Sequence, residues 1–192
     1  MYELHHFTLE TDRLIIRPLT LDDFDSIHAA LNSAFGDFPV EKRRHWLQWT
    51  VMNYDALAGL GQPPYGERAI TLKATGELIG AVGVVPAYGP FEKLPWFQAR
   101  LKTPTASHFT PEVGLFWGLR ADHQGKGYAT EAAHAVIDFL FTRWGLSRLV
   151  ATTEYDNAAS IRVMEKLGMS IQRNPDPTPD WFQVVGILEH RP

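Results

Sequence analysis

Residues 123–132, HQGKGYATEA, place two glycines around a lysine directly before a run of small, helix-forming residues that contains no proline. From the end of this stretch onward, apolar residues recur at spacings of three and four, at Ala129, Ala132, Ala133, Val136, Ile137, Leu140 and Trp144. This period gives a helix one continuous apolar face. Before it, EVGLFWGL at 112–119 predicts a strand. The sequence therefore predicts a strand, a glycine turn and the beginning of a buried helix.

Such a turn provides the elements of an anion site. The first N–H groups of a helix have no partner within it, and the helix dipole adds about half a positive charge there. Glycines bring the backbone close to phosphate oxygens, and Lys126 adds a mobile charge. The spacing matches neither a Walker loop nor a dinucleotide fingerprint. From the residues alone, a phosphate or pyrophosphate site and a plain structural turn are both open interpretations.

The rest of the chain mixes strand-like and helix-like segments, which favours an α/β or α+β class. The predicted strands lie at 13–19, 68–73, 78–85, 148–154 and 181–189, and the predicted helices at 20–33, 39–57 and 157–167. Thr20 and Asp23 have capping-box spacing, and Asn157 has the chemistry of a helix N-cap. Five prolines and several aromatic residues predict an irregular excursion at about 86–111.

Composition limits the class of protein. With 192 residues, 45% of them hydrophobic, we expect a single domain over 1–192. The absence of cysteine excludes disulfides and thiolate chemistry and favours a reducing, cytoplasmic location. A net charge of −4 makes nucleic acid an unexpected partner, and no apolar run approaches the length of a membrane span. The histidines lack metal-ligand spacing, so we expect no metal.

Three motifs together resemble one family. QGKGYA at 124–129 resembles the Gln/Arg-x-x-Gly-x-Gly/Ala signature of the GNAT superfamily of N-acetyltransferases, in the form typical of its Rim-type, ribosomal-protein N-terminal acetyltransferase-like group. NAASIRVMEKLGM at 157–169 and TDRLIIRPLTLDD at 11–23 are similar to other segments of that group. Two positions depart from the pattern. Met169 replaces a phenylalanine, and Met164 replaces the tyrosine with which many superfamily members protonate the leaving thiolate.

The resemblance implies a GNAT-type mixed, splayed central sheet flanked by helices, with acetyl-CoA as cosubstrate in the split. It implies an N-acetyltransferase that moves the acetyl group to a primary amine by direct attack in a ternary complex. The cofactor-binding residues that it implies are Phe116, Trp117, Gly118, Leu119, Gln124, Gly125, Lys126, Gly127, Tyr128, Ala129, Asn157 and Ser160.

The reaction requires a base for the amine and a donor for the departing thiolate. Glu112 is the predicted base, with Glu154 or ordered water as the alternatives. Ser160 is the predicted donor to sulfur, with Asn157 beside it. Each of these residues also has a purely structural interpretation. Asn157 would be a simple N-cap, Ser160 an ordinary first-turn hydroxyl, and either glutamate a solvated carboxylate at the end of a strand.

Two functions of different class follow from the sequence. The first is acetyl transfer, and the alternative is an acyl-CoA-binding module or sensor without turnover. The acceptor amine, a small molecule or a protein N-terminus, is not fixed by the fold. A homodimer is also open.

Overall fold

The computed structural model describes residues 4–101 and 109–190. Its strands are β1 (Leu9–Glu10), β2 (Leu14–Pro18), β3 (Gly66–Leu72), β4 (Leu78–Gly89), β5 (Thr110–Leu119), β6 (Arg148–Thr153), β7 (Ser170–Arg173) and β8 (Val184–Glu189). Its helices are α1 (Phe24–Phe35), α2 (Val40–Gly59), α3 (Pro95–Gln98), α4 (Tyr128–Thr142) and α5 (Ala158–Lys166). The chain divides into two compact units. The first comprises Met1–Val85 and Phe116–Gly145, and the second comprises Pro86–Leu115 and Leu146–Pro192.

The first unit holds the strand order β1–β2–β3–β4–β5, in which β1 to β4 are antiparallel. The predicted capping box is confirmed, with Thr20 and Asp23 at the entry to α1. Buried side chains of α1, α2 and the strands form its core, with Leu19, Ile27, Leu31 and Leu47 among them. The sheet thereby supports the end of β5, where the glycine turn begins.

The helix after this turn follows its predicted pattern as far as Leu140, whereas Trp144, also predicted on its apolar face, lies beyond the end of α4 at Thr142. Ala132, Ala133, Val136, Ile137 and Leu140 of α4 are all buried. Gly127 is its N-cap residue and has a left-handed conformation, with φ of +84°. This conformation is unfavourable for residues with a Cβ atom, which explains a glycine at this point.

The second unit holds the order β5–β6–β8–β7. Strands β5 and β6 are parallel, and Gly114 opposite Val150 is the pair recorded between them in the described residues. Strand β8 is antiparallel to both β6 and β7. The sheet is therefore mixed, and the predicted fold class of a mixed sheet flanked by helices is confirmed.

The structure differs from the predicted excursion at 86–111. Strand β4 continues to Gly89, a 3-10 turn covers Phe91–Lys93, and α3 follows. Phe91, Leu94 and Phe97 are buried with Phe182 and Val150 in the core of the second unit. Apolar residues three apart give this short segment a buried face despite its prolines. Residues 102–108 lie outside the described residues.

Two strands were not predicted. β1 has only two residues, and β7, SIQR, lacks an apolar alternation. Both are defined by their pairing with neighbouring strands. The prediction of a single domain over 1–192 stays a prediction.

Candidate active site

The glycine turn exposes backbone at the beginning of α4. Gly125 has φ of +73°, and no atom lies within 4 Å of the position that a Cβ would occupy. The first helical hydrogen bond runs from the Glu131 N–H to the Gly127 carbonyl at 3.0 Å, so the three preceding N–H groups have no helical acceptor. Open space and unused donors fit a pyrophosphate group. Residues 125–129 are the predicted cofactor residues that supply this arrangement.

Arg13 and Glu131 hold this turn in place. Nothing in the sequence had linked these two residues. The Arg13 guanidinium donates to Glu131 Oε2 at 2.7 Å and to the Lys126 carbonyl at 3.1 Å, and it lies 4.4 Å from the Tyr128 ring centroid. Thr11 Oγ1 and the Arg13 N–H also donate to Glu131, at 2.5 and 3.0 Å. Partial burial opposes ionisation, but the hydrogen bonds from Thr11 and Arg13 outweigh it and hold the pKa of Glu131 below its usual value.

A second set of contacts ties the turn to β5. Gln124 Nε2 donates to the Leu119 carbonyl at 2.9 Å, which closes the residues between them into a compact loop. The Arg120 side chain binds Asp122 at 2.6 Å and Glu77 at 2.7 Å, and the backbone N–H of Arg120 donates to the Ile79 carbonyl. These hydrogen bonds raise the pKa of Arg120, so its charge is permanent. The predicted residue Gln124 therefore has a defined structural contact.

The predicted residues of β5 lie at a point of close backbone approach. A Cβ on Gly80 of β4 would lie 2.1 Å from the Gly118 carbonyl oxygen and 2.9 Å from the Leu119 Cα. Gly118 and Leu119 are buried, whereas Phe116 and Trp117 are half-buried. The ring of Phe116 lies 5.7 Å from that of Phe35. The structure thus brings Phe116–Leu119 and the glycine turn together within the first unit.

In the second unit, Asn157 and Ser160 are neighbours at the beginning of α5. Asn157 Oδ1 accepts the Ser160 N–H at 3.1 Å, which is the predicted N-cap bond. Within the described residues, no protein group hydrogen-bonds the Ser160 hydroxyl. Ser160 therefore retains its full capacity to donate to a ligand, which is required of a donor to sulfur. Their catalytic roles stay predictions.

Glu112 occupies a different environment from the one expected of a free base. Its two carboxylate oxygens accept from Arg148 Nε and Nη2 at 2.9 and 2.5 Å, and only 8% of its side chain is exposed. Arg148 also lies 5.1 Å from the Phe97 ring centroid and 5.5 Å from that of Trp96. A bidentate arginine stabilises the ionised carboxylate and occupies the oxygens that would accept a proton.

Glu154 is the more accessible of the two predicted carboxylates. It follows β6 directly and is exposed, and Oε2 accepts from Thr153 Oγ1 at 3.1 Å. In the described parts of the chain, Glu154 forms no ion pair. Its carbonyl accepts the Asn157 N–H at 3.4 Å, so it belongs to the same turn as the predicted thiolate-donor pair.

The position that carries a tyrosine in many superfamily members is part of the core here. Met164 is fully buried, and a Cβ on Gly186 would lie 3.0 Å from its sulfur. A thioether carries no proton to donate. Residue 164 therefore takes no part in acid catalysis.

Two other kinds of feature are absent from the described residues. Across residues 4–101 and 109–190, no three His, Asp or Glu side chains cluster so as to hold a metal ion. The helices in these ranges do not combine the length and apolarity needed to cross a membrane.

Comparison with known proteins identifies the family. Residues 13–170 match the model of the acetyltransferase (GNAT) domain. The N-acetyltransferase YoaA of Bacillus subtilis, itself uncharacterized, is 30% identical over 162 residues, which cover 83% of this chain and 81% of that protein. Spermidine N(1)-acetyltransferase of Escherichia coli K12 is 24% identical over 160 residues, which cover 82% of this chain and 73% of that protein.

The crystal structure of ribosomal-protein-S5-alanine acetyltransferase from Vibrio fischeri superimposes with a TM-score of 0.68 at 16% identity and covers 95% of this chain and 96% of that one. This likeness shows the fold. The family match shows more: the chain belongs to the GNAT acetyltransferase family. It is an acetyl-CoA-dependent N-acetyltransferase, as the resemblance of its three motifs to this family implied.

Proposed function

We propose that this GNAT acetyltransferase acetylates a primary amine by direct attack in a ternary complex, with Glu154 and Ser160 as its proton-transfer groups. The neutral amine nitrogen forms a bond to the thioester carbonyl carbon, and the bond from that carbon to sulfur then breaks. The products are an N-acetylated amine and coenzyme A. The ammonium first loses one proton through Glu154 to solvent, and the nitrogen loses a second proton as the amide forms. The thiolate takes up one proton through Ser160, whose hydroxyl is reprotonated by that second proton, so one proton is released overall.

The choice of Glu154 over Glu112 is supported by their contacts. To accept a proton, Glu112 must give up one of two charge-assisted bonds to Arg148, whereas Glu154 has an exposed carboxylate without an ion-pair partner in the described residues. We infer that Glu112 positions β5 beside β6 through Arg148. Water relayed to Glu154 is part of the same proposal, because an alkyl ammonium with a pKa of about 10.4 requires a defined path for its proton.

Ser160 is the proposed donor to the departing sulfur. Its backbone N–H is fixed by Asn157, whereas its hydroxyl is uncommitted. In this proposal Asn157 acts by orienting the first turn of α5 and contacts the cofactor with its free amide N–H₂. The residues Phe116–Leu119 and Gln124–Ala129 are proposed to hold the pantetheine and pyrophosphate parts of acetyl-CoA.

The predicted subgroup of the family, the cellular location and the oligomeric state are also proposals. The GKGYATEA sequence supports the Rim-type group, and the absence of cysteine supports a cytoplasmic location. A homodimer is supported by the exposed apolar side chains of Trp49 and Met52 in α2 and of Leu60 directly after it. Sedimentation of wild-type protein against a Met52→Glu variant tests this proposal, because a charge at a dimer interface shifts the population towards monomer.

The observation that carries the proposed function is the open, donor-rich turn at Gly125–Ala129 within a GNAT chain. Its test is thiol release from acetyl-CoA in the presence of spermidine, putrescine, an aminoglycoside and a peptide with a free N-terminus. Release that depends on an acceptor, with a mass increase of the acceptor, supports acetyl transfer. Tight binding of acetyl-CoA with no acetylated product from any acceptor would favour the sensor without turnover.

A further inference from the structure

The peptide group between Lys126 and Gly127 lies at the centre of the glycine turn. Its carbonyl oxygen accepts from Arg13 Nη1 at 3.1 Å, whereas its N–H has no acceptor among the described residues. The C=O and the N–H of a trans peptide group point in opposite directions. Arg13 therefore holds one end of this peptide group and leaves the other end, the Gly127 N–H, free for a ligand.

The backbone itself does little to fix the direction of this peptide group. Turning the group over changes ψ of Lys126 and φ of Gly127, and Gly127 has φ of +84°. Glycine adopts positive and negative φ about equally readily, so the reversed direction is also open to it. The hydrogen bond from the Glu131 N–H to the Gly127 carbonyl lies outside this group and is kept in both directions. Without a restraint, the turn can present either an N–H or a carbonyl oxygen to an anion.

Arg13 supplies the restraint because its own orientation is fixed. Its Nε and Nη2 lie 2.7 and 2.6 Å from Glu131 Oε2, and its guanidinium carbon lies 4.4 Å from the centroid of the Tyr128 ring. The Glu131 carboxylate is fixed in turn, because it also accepts from Thr11 Oγ1 and from the Arg13 N–H. A guanidinium is planar, so binding Nε and Nη2 to Glu131 sets the direction of Nη1, towards the Lys126 carbonyl.

We propose that Arg13 is a positioning residue for acetyl-CoA, which keeps the Gly127 N–H directed at the pyrophosphate by holding the Lys126 carbonyl. The charge-assisted bond also polarises the peptide group, which makes its N–H a stronger donor. This inference rests on the proposed function, in which residues 125–129 hold the pyrophosphate. Arg13 itself does not contact the phosphates. A purely structural arginine and an arginine that contributes only its charge are the competing roles.

The test compares acetyl-CoA with S-acetylpantetheine, which carries the same thioester but lacks the pyrophosphate. Arg13→Met keeps an unbranched side chain and removes the donors. If the binding-competent direction falls to about a tenth of the population, the Kd of acetyl-CoA in calorimetry rises about tenfold. The kcat/KM for acetyl-CoA should fall by the same factor, whereas the kcat/KM for S-acetylpantetheine should change less than about twofold.

Arg17→Met is the matched control. Arg17 also pairs with a carboxylate through two hydrogen bonds, to Asp23 at 2.7 Å each, but its other recorded bond goes to the Pro18 carbonyl and not to the turn. Its loss should lower Tm and leave the preference for acetyl-CoA over S-acetylpantetheine unchanged.

A salt series separates the restraint from a simple charge effect. At about 1 M KCl the Debye length is about 3 Å, so the contribution of an exposed charge to binding is largely screened. The defect of Arg13→Met relative to wild type should persist in this buffer, because it arises from the direction of a peptide group. The defect of Lys126→Met, which loses the mobile charge of the turn, should shrink.

The outcomes separate this inference from the function on which it rests. An equal loss for both thioesters, a loss that disappears at high salt, or an unchanged Kd in folded Arg13→Met overturns the positioning role and leaves the proposed function intact. Equal kcat/KM for both thioesters in the wild-type enzyme overturns the pyrophosphate site and this inference with it. If no thiol is released from either, acetyl transfer fails, and calorimetry with acetyl-CoA still tests Arg13. Thermal melting shows whether the variants are folded; if Arg13→Met is not, Arg13→Lys, which lacks the planar fork, replaces it with the same expected loss.

Discussion

Glu112→Gln and Glu154→Gln are isosteric changes of the two candidate bases, and the structure predicts that they act on different properties. Glu112 lies in a bidentate pair with Arg148, and 8% and 31% of the two side chains are exposed. Glu154 is exposed at the end of β6. We therefore expect Glu112→Gln to lower the free energy of unfolding and Glu154→Gln to lower turnover.

The magnitude for Glu112 follows from the geometry of the pair. Removing one partner of a fully buried pair costs about 3–5 kcal/mol, and an exposed pair contributes about 0.2–1 kcal/mol. About a third of the Arg148 side chain is exposed, and the amide oxygen of the new glutamine still accepts one hydrogen bond from it. We therefore expect the free energy of unfolding to fall by about 2 kcal/mol in Glu112→Gln. For a chain of this size, that loss lowers Tm by about 4–8 °C. Glu154→Gln should change stability by less than about 0.5 kcal/mol.

Turnover should show the opposite order. Loss of a general base costs about 10²-fold or more in kcat. The kcat of Glu154→Gln should therefore fall by this factor at neutral pH, and it should recover partly at higher pH, where the free amine is deprotonated in solution. Glu112→Gln should keep most of its kcat below its melting temperature. The assays are thermal denaturation and thiol release at pH 7 and pH 9. An unchanged Tm with a hundredfold, pH-rescued loss in Glu112→Gln would refute this reasoning and return the role of base to Glu112.

Further predictions concern the glycine turn, the close approach of β4 and β5 at Gly80, and α5. Gly127→Glu should abolish acetyl-CoA binding in calorimetry, because it places a carboxylate at the anion site and a Cβ at φ +84°; retained affinity in a folded variant contradicts the site. Ser160→Ala should lower kcat more than it raises the KM for acetyl-CoA, whereas wild-type turnover leaves Ser160 an ordinary helix residue. Gly80→Ala should destabilise by at least about 2 kcal/mol, because its Cβ meets the Gly118 carbonyl at 2.1 Å. Gly118→Ala is the matched control: its Cβ meets Cε2 and Cζ of Phe35 at 2.6 and 2.9 Å, which is the far end of a side chain that is 61% exposed rather than backbone, so we expect a loss below about 1 kcal/mol in the same denaturation assay. Glu131→Gln should destabilise the protein at pH 7, and the difference from wild type should vanish as pH falls below about 4.3 and through the depressed pKa of Glu131; a difference that persists at low pH contradicts the ion pair with Arg13.

The sequence predicted those parts of the fold that local pattern determines. The apolar period of α4, the capping box at Thr20 and the N-cap at Asn157 each depend on residues within a few positions, and all three are confirmed. The glycine turn was predictable for the same reason, because positive φ at Gly125 and Gly127 is a local requirement.

Contacts between distant residues were beyond this kind of prediction. Arg13 and Glu131 are 118 positions apart, and Glu112 and Arg148 are 36 apart, so no spacing in the sequence links them. The segment around Phe97 was predicted as irregular because its prolines obscured a three-residue apolar spacing. Its buried position depends on Phe182 and Val150, which lie far along the chain.

The carboxylates and donors of the two units differ in how fully their hydrogen-bonding capacity is used. Glu131 and Glu112 accept several charge-assisted bonds from arginines, and each bond stabilises one charge state and one orientation. A carboxylate held by such bonds stabilises the backbone around it, but it must break one of these hydrogen bonds before it can accept a proton. The Ser160 hydroxyl and the Glu154 carboxylate have hydrogen-bonding capacity that other groups of the described residues do not use. A substrate can therefore bind them without breaking a native contact. The residues with the strongest contacts are therefore expected to control stability, and those with the weakest are expected to control chemistry.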